Sequence, residues 1–151
     1  MEENIGMKGK FRIENTTTGE VREVDNTVVT LGKSMMAGLC VADVNVGSAY
    51  DWMSIGIGSE TITAGHTTLG SEYLKIGLGD ITGDRTTITT TNDTARWIGS
   101  FSIKATKSIN EAGLFNQSGL DTGSMLAITN FADIETESGD TLNATWTIKF
   151  T

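Results

Sequence analysis

The stretch "TLNATWTIKF" near the C-terminus alternates without a break. Leu142, Ala144, Trp146, Ile148 and Phe150 take every second place, and Thr141, Asn143, Thr145, Thr147 and Lys149 fill the others. A period of two is the mark of a strand with one face buried, and a chain built around such strands must pair them into sheets. The same alternation begins at Arg96, where Trp97, Gly99, Phe101, Ile103 and Ala105 oppose Ile98, Ser100, Ser102, Lys104 and Thr106. "SMLAITNF" repeats it more briefly. Proline is absent from all 151 residues, so turns must come from the 18 glycines and from Asn, Asp, Ser and Thr. The threonine cluster in "RTTITTTNDT" favours strand over helix, because β-branched side chains lose χ1 freedom in a helix.

Upstream, Phe11 to Glu14 and Val21 to Val24 flank "NTTTGE" and read as a hairpin. Thr30 can cap a segment in which Leu31, Met35, Leu39 and Ala42 recur at helical spacing, which predicts one short helix over residues 31–43. "VNVGSAYDW" has loop composition. "DWMSIGIGS" predicts a strand with Met53, Ile55 and Ile57 on one face and Ser54, Gly56 and Gly58 on the other. "SETITAGHTTLGSE" has no sustained period and reads as a long surface connection or weak strands. "EYLKIGLG" and "DRTTITTTND" are strand candidates, the second an edge strand anchored only by Ile88. The expected fold is mainly β, an antiparallel β-sandwich or jelly roll with one helix. Residues 1–26 form an N-terminal arm or hairpin on a β domain of residues 27–151, the whole being a single compact domain.

Nineteen acidic and eleven basic residues give a formal charge of −8, and the basic ones are scattered, so nucleic acid is a poor partner. No apolar run approaches the roughly 18 residues that span a bilayer, so no membrane partner is expected. The opening Met1-Glu2-Glu3-Asn4 is acidic and polar, unlike a secretory signal, so the expected product is unprocessed. Cys40 is alone and lies between Leu39 and Val41, which reads as a small buried hydrophobe. Four N-x-[ST] tripeptides, at Asn15, Asn92, Asn116 and Asn143, arise readily in a threonine-rich chain.

Motifs for chemistry are sparse. Gly56/Gly58 and Gly77/Gly79 stop short of a dinucleotide fingerprint, and Gly32-Lys33-Ser34 lacks the upstream glycine of a P-loop, so no cofactor is expected. His66, the one histidine, sits in polar "TAGHTT" with no nucleophile motif in the chain to serve. Asp80 and Asp84 are not spaced as a calcium loop and read as turn formers, so no metal is expected. "SINEAGLFNQSG" sets a carboxylate, Glu111, directly before an apolar knot of Ala112, Gly113, Leu114 and Phe115. A carboxyl in such surroundings is a candidate general acid, and the competing reading is a strand corner at which Glu111 accepts backbone or basic partners. No second motif acid supports glycoside cleavage, and the corner is the reading adopted.

The last third, "SINEAGLFNQSGLDTGSMLAITNFADIETESGDTLNATWTIKF", resembles a module of structural proteins from tailed bacteriophages and related viruses. That module joins an "EAGLFN" knot, a strand of the "MLA..F" kind and a closing "DTL..TW.I.F" strand, and "MSIGIGS" looks like its upstream glycine-rich strand. The similarity covers roughly Thr27 to Thr151 and is strongest after Trp97. Its signature here is Glu111, Ala112, Gly113, Leu114, Phe115, Trp146 and Phe150. The resemblance implies a jelly-roll-like virion protein without enzymatic activity or cofactor, homotrimeric, partnered by the major capsid protein or other virion proteins. Capsid decoration, or cementing, is the leading expectation. A tail or tail-fibre protein is the alternative, which would bind carbohydrate or a receptor through aromatics such as Tyr50, Trp52 and Tyr73.

Overall fold

The computed structural model describes residues 6–40, 49–77, 80–88, 91 and 93–151. Along the chain run β1 (Met7–Asn15), β2 (Val21–Val28), α1 (Thr30–Cys40), β3 (Trp52–Gly56), β4 (Glu72–Ile76), β5 (Ile81–Thr86), β6 (Thr94–Ser102), β7 (Lys107–Phe115), β8 (Met125–Thr136) and β9 (Thr141–Phe150). These strands form one antiparallel sheet in the order β4-β3-β7-β8-β2-β1-β9-β6-β5. The sheet curls until β4 lies against β6, so the molecule is a nearly closed β-sandwich, as the alternating pattern predicts. At that closure Ile76 Cδ1 fills the space above Gly99, 2.6 Å from where a Cβ would stand.

The interior is filled from the inward registers of the strands. Phe11, Ile13, Met53, Ile55, Phe101, Ile109, Leu114, Leu142, Ala144 and Trp146 are all fully buried. Phe11 stacks at 4.7 Å on Trp146 and at 5.6 Å on Phe131, joining β1, β9 and β8. The alternation of β9 is obeyed throughout, with Leu142, Ala144, Trp146 and Ile148 inside and Phe150 half-buried at the end. The expected N-terminal hairpin is present and lies in the middle of the sheet, with β1 paired to β2 on one side and to β9 on the other. Its turn is made by the Asn15 side chain, whose Oδ1 accepts from the Thr17 and Thr18 amides, and by Gly19 at φ 77°.

Several local expectations need correction. "SINEAGLFNQSG" is not a corner: residues 107–115 are β7, a central strand between β3 and β8. Ile57 does not share the inner face of Met53 and Ile55, because β3 ends at Gly56 and Ile57 is exposed. Ser54 and Gly56, placed on the face opposite Met53 and Ile55, are buried as well. The fifth strand runs over Ile81–Thr86, earlier than "DRTTITTTND", and Ile88 is exposed beyond its end. Ile103 is buried after β6 has ended, and Ala105 is exposed. Thr30 is the first helical residue and not a preceding cap, its amide donating to the Ala64 carbonyl. The expected helix end at Asp43, the loop residues 44–48 and the side chain of Cys40 lie outside the described residues.

Candidate functional site

The most heavily built polar feature stands where β3, β7 and β8 meet, on the face turned away from the main core. In β7, Ile109 faces inward, and the pairing with β8 then shifts: Ile109 opposes Ile134 but Glu111 opposes Asn130, two extra residues being taken up on β8. Such a bulge re-aims the residues beyond it. After it Ala112 and Leu114 point into the main core, while Glu111, Gly113 and Phe115 share the outer face. Arg22 holds the bulged part of β8 by donating to the carbonyls of Ala132 at 2.9 Å and Asp133 at 2.6 Å.

That outer face is covered by residues 57–71, the connection between β3 and β4. Leu69 and Ile62 of this cover pack with Val29, Phe115, Met125, Ile128 and Trp52 as a second apolar layer. The Glu111 carboxylate is 2% exposed and fastens the cover at both ends. Its Oε1 accepts from the Gly58 amide at 2.9 Å and the Ser71 amide at 2.8 Å, and its Oε2 accepts from the Gly70 amide at 3.0 Å. A carboxylate offers about four lone-pair directions, and three are taken by the backbone of its own chain. Asn130 adds a bond to the Glu60 carbonyl at 3.3 Å, and Ile57 N–H donates to Ser71 at 2.9 Å.

This geometry explains why "SIGIGS" and "EAGLF" occur in one chain. A Cβ at Gly58 would stand 2.6 Å from Glu111 Cδ, and one at Gly113 would meet Phe115 Cε2 at 2.8 Å and Leu69 Cδ2 at 3.2 Å. The first glycine gives the carboxylate access to backbone, and the second lets the cover lie flat on the sheet. Glu111 is thus an acceptor held by amides. Accepting backbone partners was the expectation for it, although the place is mid-strand. Ala112, Gly113, Leu114 and Phe115 are all buried, and Ala112 and Leu114 share the main core with Trp146, against which the half-buried Phe150 packs.

A second buried charge, unforeseen from the sequence, fastens the loop after β7. Lys75 and Glu72 form an i,i+3 ion pair at 3.1 Å with side chains 3% and 1% exposed. Lys75 Nζ lies 4.1 Å from the centre of the Phe115 ring and donates to the carbonyls of Gly119 at 2.7 Å and Thr122 at 3.0 Å. Glu72 accepts from the Asp121 amide. The two turn-forming stretches "NQSG" and "LDTG" are thereby tied down to β4.

The other sequence candidates are dispersed. His66 Nδ1 accepts from the Thr63 amide at 3.0 Å, and its Nε2 is 3.4 Å from Glu60, so it closes a turn of the cover. Asp84 forms a two-pronged pair with the directly opposed Arg96, at 2.9 and 2.5 Å, which holds its carboxyl below the usual range. Among the described residues no group of three His, Cys, Asp or Glu is placed to hold a metal, and no helix is long and apolar enough to cross a membrane. Tyr50, Trp52 and Tyr73 do not share an exposed groove. Tyr50 is 6% exposed, its hydroxyl pushed up to about 12 by burial, and Trp52 packs into the outer layer. Tyr73 lies against the main core and its hydroxyl accepts from the Lys104 amide.

At the far end of the sandwich a cleft of about 280 Å³ opens between α1, the start of β1 and the end of β9. Met7, Met36, Leu126, Trp97, Ile148 and Phe150 supply its apolar walls. Comparison with known proteins gives no match to a family model, to a curated protein or to a solved structure.

Proposed function

We propose that this chain is a non-enzymatic structural protein of a tailed-phage virion, a capsid decoration protein that acts as a homotrimer on an icosahedral head. The observation that carries the reading is the use made of Glu111: the one acid that stood beside an apolar knot is spent on three backbone amides of the cover. Two of the stretches that carry the family resemblance, "MSIGIGS" and "EAGLFN", are the two halves of that joint. A motif serving architecture suits a protein whose task is to add contacts to a particle.

The charge layout favours a protein that lies against a partner. The outward registers of β1, β2, β9, β6 and β5 place Lys8, Lys10, Arg12, Arg96 and Lys149 on one broad surface with Glu14, Glu23, Asp25 and Asp84. That surface holds five of the eleven basic residues and only four of the nineteen acidic ones, so the charge of −8 is carried elsewhere. A nearly neutral, threonine-rich face can approach a shell without the self-repulsion of the rest. Quantitative mass spectrometry of purified virions tests the proposal. Hundreds of copies per particle are expected of a decoration protein, and a few dozen or fewer would overturn that role in favour of the tail.

A further inference from the structure

The apolar cleft at the end of the sandwich has a cation at its rim. Arg85 stands on the inward register of β5, opposite Ala95, and both line the cleft. Its neighbour Arg96 is engaged by Asp84, whereas the Arg85 side chain has no hydrogen bond, ion pair or ring contact among the described residues. In a chain so acidic, a guanidinium with no carboxylate partner among the described residues is notable. The two methionines, Met7 and Met36, give walls that adapt to an occupant's shape.

We infer that this cleft is a binding site for a small amphiphile, a medium-length apolar chain carrying an anionic head. The tail lies among Met7, Met36, Leu126, Ile148 and Phe150, and the head meets Arg85, whose planar fork suits a carboxylate or phosphate. Trp97 forms part of the wall and donates its indole N–H to the Tyr50 carbonyl at 2.6 Å, which fixes both aromatics at the site. Free amphiphile and the anionic lipid of a bilayer share this chemistry, and the cleft's small volume, about 280 Å³, commits the inference to the free molecule.

Titration calorimetry and tryptophan fluorescence on the full chain test it, with decanoate and the uncharged decanol as probes, both below micelle-forming concentrations. Saturable binding of decanoate is expected, and Arg85→Gln should weaken it about tenfold while leaving decanol unchanged. Filling the cleft by Ala95→Phe, or by Met36→Trp should the first variant fail to fold, should abolish binding of both. Absence of saturable decanoate binding would overturn the inference, as would equal affinity in wild type and Arg85→Gln or binding that survives a folded cleft-filling variant. Co-sedimentation with phosphatidylglycerol vesicles by a protein that ignores free decanoate would overturn it too, in favour of a membrane surface.

Discussion

Glu111 and Asp140 show two ways in which a single carboxylate orders backbone. Glu111 bridges the two ends of a 15-residue cover. Asp140 works within one turn: its Oδ2 accepts from the Glu137 amide at 3.0 Å and from the Asn15 side chain at 3.0 Å, joining the β8–β9 turn to the β1–β2 turn. The Glu137 amide, followed by the Asn15 amide group, holds the Asp140 carboxyl below its ordinary value. A carboxyl whose folded value is depressed contributes stability above its unfolded value, about 3.9. That stability is lost as the pH falls through the folded value. Asp140→Asn should therefore lower stability at pH 7 and flatten its decline below about pH 4, which urea titrations across pH 2 to 7 will read. An unchanged acid limb would place the acid sensitivity elsewhere. The role of Asp140 could not be read from sequence, since Asn15 precedes Asp140 by 125 positions and only the pairing of β1 with β9 brings them together.

The elements were legible in proportion to how one-sided their burial is. β9 and the hairpin of β1 and β2 each have one dry face, and their alternation shows it. β3 and β7 are covered on both sides, by the core and by residues 57–71 or the loop after β7, so Ser54, Gly56, Glu111 and Gly113 are buried where a period of two predicts solvent. The bulge after Ile109 then breaks the period itself, which is why a central strand read as a corner. Lys75 and Glu72 were hidden for a related reason, being charged residues in a stretch expected to show them to water. Removing one member of a buried pair strands the other, at a cost of about 3 to 5 kcal/mol. Lys75→Met should thus be far more destabilising than the double variant Lys75→Met/Glu72→Gln, as measured by denaturant unfolding. Additive losses in the two single variants would mean that the pair is not coupled.

At the scale of the molecule, the fold is a nearly closed antiparallel sandwich with an extra layer laid over β3, β7 and β8, and the extra layer is held by charge as well as by apolar contact. The sequence pattern anticipated the sandwich from its alternating strands, but not the layer, because residues 57–71 have no period and contribute only Leu69 and Ile62 to its packing. Two of the motifs that carry the resemblance to virion proteins meet in that layer, so the nature of the joint bears on the proposed function. Amide hydrogen exchange across the chain, comparing wild type with Glu111→Gln, tests it most directly. The joint predicts that Gly58, Gly70 and Ser71 lose protection together, with the rest of residues 57–71 following, while β1, β6 and β9 keep theirs; a uniform loss across the sheet, or no change at those three amides, would contradict it.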